Sequence, residues 1–115
     1  MSLQMKNKFY QYILNLQNQI TSGLEAVDGV AKFREDIWTR VEDEQGEAKR
    51  AEGGGGRTRV IENGQVFEKA GVNISAVHGK LPEAMQKMFN VGEADFFACG
   101  ISLVIIIIRG GWDDL

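Results

Sequence analysis

The residues best suited to chemistry are a single histidine, His78, and an arginine pair, Arg57 and Arg59, that follows a run of four glycines. A guanidinium group can bind a carboxylate through two parallel hydrogen bonds, so the arginines could hold an acidic ligand. For two arginines at one strand edge, however, exposure to solvent is the default expectation. Zinc and iron sites need three or four ligands, and no acidic residues are spaced around His78 to complete such a set. We therefore predict no metal site and expect His78 to be structural or exposed.

The glycines at 53–56 could cradle a phosphate, but they lack the Gly-Lys-Ser/Thr ending with which a P-loop opens a helix. They lead into a strand pattern instead, so we expect a hinge or a close approach between backbones. The residues that precede them, 41–52, are nearly all charged or small. Together these features predict a flexible loop over 41–56.

Nucleophilic catalysis has little support in the residue types. No serine lies in a nucleophile elbow, and the single histidine is the one possible base for a Ser-His-Asp arrangement. Cys99 is the only cysteine, and its neighbours are apolar or small, which favours a buried, unreactive thiol over a reactive one. One thiol cannot form an internal disulfide, so a reducing compartment is expected. The residue types alone indicate no function.

The length and composition fit one small soluble domain. The chain has 115 residues, which we treat as a single domain over 1–115. Its net charge is −3 with basic residues scattered among acidic ones, which argues against nucleic acid as a partner, because phosphate recognition needs clustered positive charge. The longest apolar run, 103–108, has six residues, whereas a membrane-spanning helix needs about 20. With no signal-peptide pattern at the start, we expect a cytoplasmic protein.

Two helices are predicted from periodicity, the first over 6–27 with a stop at Gly29. Its apolar face should comprise Phe9, Ile13, Leu16, Ile20 and Leu24, with Tyr10, Leu14 and Val27 beside them. Its polar face should comprise Lys6, Asn7, Gln11, Asn15, Gln17 and Asn18. The second, over 80–91, has Pro82 in its first turn and should place Leu81, Met85, Met88 and Phe89 on one side.

The remaining patterns predict strands. Residues 32–40 form a short element in which Phe33 and Trp38 pack inward. Asn63-Gly64 between two β-rich runs predicts a hairpin, and Gly71 suggests a bulge or a close backbone approach. The β-branched run at the end of 94–108 indicates a buried strand covered on both faces. The expected fold is α+β, with a long amino-terminal helix packed on an antiparallel sheet.

A long string of motifs covers almost the whole chain, from residue 6 to residue 105. It comprises Phe-Arg-Glu-Asp-Ile-Trp-Thr-Arg at 33–40, the glycines with Arg-Thr-Arg at 53–59, Val-Phe-Glu-Lys-Ala-Gly-Val-Asn at 66–73, Val-His-Gly at 77–79 and Phe-Phe-Ala-Cys-Gly-Ile-Ser-Leu-Val-Ile at 96–105. This string resembles the amino-terminal part of the oxygen-dependent (aerobic) coproporphyrinogen III oxidase family.

The resemblance implies an enzyme that decarboxylates two propionate groups of coproporphyrinogen III to vinyl groups, giving protoporphyrinogen IX in haem biosynthesis. Molecular oxygen is the implied oxidant, and no metal or other cofactor is predicted. A homodimer and a large antiparallel sheet flanked by helices are implied as well. Ser102 matches the family's substrate-binding serine. The segment that matches a dimerisation region comprises Val66, Phe67, Glu68, Lys69, Ala70, Gly71, Val72, Asn73, Ile74 and Ser75.

The sequence departs from the family pattern after Ile105, and residues 106–115 form a divergent tail. Four residues after its serine the family has a histidine followed by a proline, whereas Ile106 and Ile107 stand here. The family's later His-x-Asn-x-Arg run, with its proposed proton donor, does not occur in this sequence. We therefore expect a chain that is incomplete for catalysis. The alternatives are a non-catalytic fragment that binds a tetrapyrrole or dimerises, and a structural fragment that aggregates through 103–108.

Overall fold

The computed structural model describes residues 3–40 and 53–108. In chain order the elements are helix α1 (Leu3–Asp28), strands β1 (Arg34–Arg40), β2 (Gly53–Glu62) and β3 (Lys69–Lys80), helix α2 (Glu83–Phe89) and strand β4 (Asp95–Ile106). The strands form one antiparallel sheet in the order β1-β2-β3-β4, and α1 packs against β3 and β4. This confirms the α+β fold with a long amino-terminal helix on an antiparallel sheet.

Helix α1 ends where the sequence predicts, at a glycine with positive φ. Gly29 has a φ of 81°, and its amide donates to the carbonyl of Glu25 at 2.9 Å, which closes the last turn. The buried side of the helix differs from the predicted one. Gln17, predicted on the polar face, is completely buried, whereas Phe9 and Val27 are about half exposed. The reason is that the strands under α1 present an arginine and backbone carbonyls, which need polar partners.

The glycines at 53–56 form the first part of β2, so the predicted flexible loop is wrong for these residues; 41–52 lie outside the described ranges. The glycines pair with β3, and Gly54, Gly55 and Gly56 also pair with β1. A Cβ on Gly56 would collide with the carbonyl oxygen of Ile74 and would meet the Trp38 ring. The expected close backbone approach is therefore present, and it is made by a paired strand rather than by a loop.

The connection between β2 and β3 is longer than an Asn-Gly hairpin turn. Asn63 adopts a left-handed φ of 55°, but β3 begins only at Lys69. The Asn63 amide donates to the carbonyl of Glu68, and the Gly64 amide donates to that of Phe67. Gly71 makes no bulge, because the register runs through it without a break, opposite Val60 and Val104.

The hydrophobic core lies between α1 and the sheet. One cluster comprises Ile61, Phe67 and Ala70, with Leu24, Ala31, Phe33, Val66 and Ile107 packed against it. Val72 and Ile74 of β3 are completely buried, as their alternation in the sequence predicts. Within 3–40 and 53–108, no helix combines the length and apolar character that crossing a membrane requires.

Strand β4 is an edge strand, and the prediction that both its faces are covered is wrong. Val104 is 62% exposed and Ile106 is 49% exposed, because both lie on the face of the sheet opposite α1, which no helix of the described ranges covers. Helix α2, which connects β3 to β4, is also largely exposed. It is shorter than predicted, Pro82 caps it rather than lying in its first turn, and it buries none of its residues.

Candidate functional site

The two faces of the sheet differ in chemistry. Directly paired residues of antiparallel strands carry their side chains on the same face. Thr58 pairs with Asn73, and Asn73 pairs with Ser102, so these three form a row across β2, β3 and β4. The neighbouring row, Arg57, Ile74 and Ile101, faces α1. We call the face that carries the Thr58–Asn73–Ser102 row the open face.

The row on the open face consists of hydrogen-bonding side chains, and at its Ser102 end the hydroxyl is not used within the described ranges. The indole Nε1 of Trp38 donates to Thr58 Oγ1 at 3.1 Å, and Thr58 Oγ1 donates to Asn73 Oδ1 at 2.5 Å. Ser102, the serine to which the resemblance assigns substrate binding, lies at the exposed end of this row. Within the described ranges its hydroxyl has no hydrogen-bond partner, so it is available to a ligand.

Arg57 and Arg59 hold α1 on the sheet, so the structure places them neither at a site for an acidic ligand nor as solvated surface groups. Arg57 donates to the side chain of Gln17, to the carbonyl of Leu14 and to the side chain of Asn18. Burial lowers the pKa of the Arg57 guanidinium, and the neighbouring Arg59 lowers it further.

Arg59 is engaged on the same side of the sheet. It binds the carboxylate of Glu35 at 2.9 Å, and it also donates to Asn18 and Thr21 of α1. Both arginines therefore face away from Ser102, and their guanidinium groups already have partners.

His78 and Cys99 lie on the α1 side of the sheet as well. His78 is opposite Gly53 and Phe97 and is exposed, and Cys99 is half-buried rather than buried as predicted. The structure thus does not bring His78, the arginines and Ser102 together. Across 3–40 and 53–108, no group of three or more His, Cys, Asp or Glu side chains is placed to hold a metal ion.

The segment predicted for dimerisation, 66–75, covers part of a loop and half of the central strand β3. Ala70, Val72 and Ile74 are buried beneath α1, and Phe67 belongs to the core. Both edges of β3 are occupied by β2 and β4. The side chains of this strand that remain available are those of the open face, Asn73 and Ser75 among them.

Ile106 lies on the open face, four residues along β4 from Ser102, because alternate residues of a strand share a face. It stands where the resemblance implies a histidine, and its partner in the register is the exposed Lys69. An isoleucine at this place offers neither a proton nor a hydrogen bond. Of the divergent tail, 106–108 are described, and Ile107 packs against the core.

Sequence reasoning missed Trp38, Thr58 and Asn73 as companions of Ser102. No motif marks them, since they lie on three strands and meet only through the register. The alternation of polar residues along β3 was the available signal for Asn73. It would have placed Asn73 on the face opposite Val72 and Ile74.

Comparison with known proteins identifies the family. The family model described as coproporphyrinogen III oxidase matches residues 8–108. The oxygen-dependent coproporphyrinogen-III oxidase of Prochlorococcus marinus subsp. pastoris (strain MED4) is 44% identical over 103 residues, which cover 87% of this chain and 27% of that protein. Proteins of the same name from P. marinus strains AS9601 and MIT 9301 are each 45% identical over the same shares. The chain spans about a quarter of the length of these relatives, and it belongs to the coproporphyrinogen III oxidase family.

Proposed function

We propose that this chain serves the oxygen-dependent decarboxylation of coproporphyrinogen III to protoporphyrinogen IX in haem biosynthesis, as part of its substrate-facing sheet. The observation that carries the proposal is the position of Ser102. Its hydroxyl, which has no hydrogen-bond partner among the described residues, lies beside Asn73 at the end of the Trp38–Thr58–Asn73 hydrogen-bond row on an exposed face. Membership of the coproporphyrinogen III oxidase family suggests the substrate. The Thr58–Asn73–Ser102 row offers hydrogen-bonding groups that could bind it.

The open face can meet both parts of a tetrapyrrole. The Ser102 hydroxyl can donate to a propionate carboxylate, and such a charge-assisted hydrogen bond is stronger than a neutral one. The exposed Lys69, on the same face beside Ile106, adds a positive charge about 13 Å along the strand from Ser102. Trp38 supplies an aromatic surface for the apolar macrocycle. Molecular oxygen is the proposed oxidant, and we propose no metal or organic cofactor for the residues of this chain.

The described residues bind substrate in this proposal, but they do not complete its chemistry. Decarboxylation needs a positioned proton-transfer group and cationic groups for the carboxylates. Ile106 occupies the place where such a group is implied by the family, and His78, Arg57 and Arg59 lie on the other face. The second candidate function, a non-catalytic tetrapyrrole-binding or dimerising fragment, is favoured by Ile106 for the isolated chain.

We also propose a homodimer in the cytoplasm. The support for the dimer is the outer edge of β4, which pairs with no other strand of the described ranges, and the exposed apolar side chains of that strand. Such an edge can accept another chain. The single cysteine fits a reducing compartment. The partner in this proposal is a second copy of the chain, with coproporphyrinogen III as the small-molecule ligand.

Titration with coproporphyrin III, the air-stable oxidised form of the substrate, tests the proposed role of Ser102. In a Trp112→Phe background Trp38 is the only tryptophan, so quenching of its emission reports ligand bound near Trp38, and dependence on Ser102 assigns that ligand to the open face. We expect Ser102→Ala to raise the dissociation constant about tenfold, since a hydrogen bond to a charged group contributes about 1.5–3 kcal/mol.

The matched control is Ser22→Ala, which removes the same hydroxyl from an exposed position of α1 and should leave the dissociation constant unchanged. Equal affinity of the Ser102→Ala and unsubstituted proteins would contradict the assignment of Ser102. An equal loss in both variants would contradict it as well, since the loss would then not depend on the hydroxyl of Ser102.

A further inference from the structure

A cleft of about 520 Å³ lies on the face of the sheet opposite Ser102, between the first turns of α1 and the amino-terminal end of β2. Clefts of about 300–1,000 Å³ accommodate small organic ligands. The floor is formed by Gly55 and Ala76, and the walls include Ile37 and Phe97. Of the residues that line this cleft, the role proposed for the open face uses Trp38 alone.

The floor of the cleft is flat because glycine supplies one of its strands. A Cβ on Gly53 would lie 2.7 Å from Cε1 of His78, so the imidazole rests directly against the backbone of β2 at the end of the cleft. Gly55, two residues along on the same face, likewise adds no side chain to the floor. A planar ligand can therefore lie against the backbone, with the imidazole at its edge.

Two basic side chains stand at the cleft without an acidic partner in the described ranges. The ammonium group of Lys6 lies 5.4 Å from the centre of the Phe97 ring, and neither Lys6 nor His78 pairs with a carboxylate of those ranges. The charges next to the mouth, Lys80 and Asp95, are 3.8 Å apart and offset each other. The cleft thus has apolar walls and a positively charged group, the Lys6 ammonium, at one end. This arrangement complements an anion with an apolar body.

We propose that this cleft binds a flat aromatic carboxylate. Its ring system lies on the Gly55–Ala76 floor between Ile37 and Phe97. Its carboxylate pairs with the Lys6 ammonium and accepts a hydrogen bond from His78. This site goes beyond the proposed decarboxylation, since its floor and its two basic groups lie on the face of the sheet opposite Ser102, and Trp38 is the one residue that borders both sites.

Titration of the 115-residue chain with 2-naphthoate, followed through backbone amide signals in NMR spectra, tests the site. We expect saturable shifts at Gly54–Gly56, Ala76 and His78, and a dissociation constant below about 1 mM. Lys6→Gln should raise that constant about fivefold, since it removes the charge from a partly exposed ion pair. Lys8→Gln, which removes the same charge from an exposed position of α1, should not change it.

The neutral analogue 2-naphthalenemethanol separates charge recognition from apolar binding. It should bind the unsubstituted protein about fivefold more weakly than 2-naphthoate and should bind Lys6→Gln with that same weak affinity. Shifts confined to the exposed residues of β4 would overturn the proposal, as would a Lys6→Gln variant that binds 2-naphthoate like the unsubstituted protein. Either result would assign the binding to apolar surface alone.

Discussion

The side-chain amide of Gln17 donates a hydrogen bond of 2.9 Å to the backbone carbonyl of Val72, and thereby ties α1 to the central strand of the sheet. The same amide donates to the carbonyl of Arg57 at 2.9 Å, and its oxygen accepts from the Arg57 guanidinium. Gln17 is completely buried. One side chain thus satisfies two strand carbonyls and a partly buried charge at the interface between helix and sheet.

Replacement of Gln17 by leucine should destabilise the protein by about 2 kcal/mol or more, because it leaves the Arg57 guanidinium and two carbonyls short of partners away from water. The free energy of unfolding from urea denaturation measures this loss. Gln19→Leu, at an exposed position of the same helix, should change it by less than about 0.5 kcal/mol. Equal effects of the two substitutions would contradict the role of Gln17.

Asp28 at the end of α1 should respond to substitution and to acid. Its buried carboxylate accepts hydrogen bonds from the amides of Val30, Ala31, Gln65, Val66 and Phe67. Burial alone would raise the pKa of this carboxyl, but the backbone hydrogen bonds outweigh burial and hold the pKa well below its ordinary value. Asp28→Asn should cost about 3 kcal/mol, since an amide NH₂ would then face backbone N–H groups.

The pH dependence of that cost follows from the direction of the shift. A lowered pKa in the folded state stabilises the protein above the ordinary aspartate pKa of about 4, and this stabilisation is lost as the pH falls further. The difference in unfolding free energy between the unsubstituted protein and Asp28→Asn should therefore shrink between about pH 5 and pH 2. Asp36→Asn, at an exposed position of β1, provides the control. A pH-independent difference would contradict the assignment.

Replacement of glycine by alanine should have opposite effects at two positions of the chain. A Cβ on Gly64 would collide with the Asp28 carboxylate, so Gly64→Ala should destabilise the protein by about 2 kcal/mol or more. Gly23, inside α1, has no atom within 4 Å of the place a Cβ would take. Gly23→Ala should stabilise the protein by about 0.5–1 kcal/mol, because alanine favours the helix. Thermal unfolding of both variants tests this, and a stable Gly64→Ala protein would refute the close packing.

Association through β4 predicts that a charge on its exposed surface weakens the dimer. Val104→Lys places an ammonium on the apolar edge strand, where lysine discourages pairing with another chain. We expect the dimer dissociation constant from sedimentation velocity to rise about tenfold or more. Val30→Lys, at a similarly exposed residue between α1 and β1, should have no effect. A dimer that survives Val104→Lys would place the interface elsewhere.

The sequence predicted burial and helix ends correctly where a single local pattern determines them. Val72 and Ile74 alternate with polar residues and are buried, and Gly29 ends α1. The sequence did not predict the burial of Gln17. A polar residue is buried only when a partner from another element, here Arg57, satisfies its hydrogen bonds. The sequence also did not predict the exposure of β4. A β-branched run has the same composition in an edge strand as in a covered one, and the position of β4 in the sheet depends on the neighbours of that strand rather than on its own residues.

For the candidate site, the resemblance named Ser102 but not the residues around it. Its neighbours Thr58 and Asn73 come from two other strands, so their proximity depends on the register. The separation of the arginines from Ser102 follows from the same register, since Arg57 and Thr58 are adjacent in sequence and lie on opposite faces. Neither relationship is visible in a motif.

The central claim is that this chain presents a tetrapyrrole-facing surface through Ser102 but does not supply the reaction, because Ile106 stands where a proton-transfer group is implied. An aerobic assay of the purified 115-residue chain tests it, with coproporphyrinogen III loss and protoporphyrin fluorescence followed beside a full-length relative. The account predicts coproporphyrin III binding that depends on Ser102 and product formation no faster than in a protein-free control. Protein-dependent formation of protoporphyrinogen IX would contradict it, since the residues present would then suffice for the chemistry.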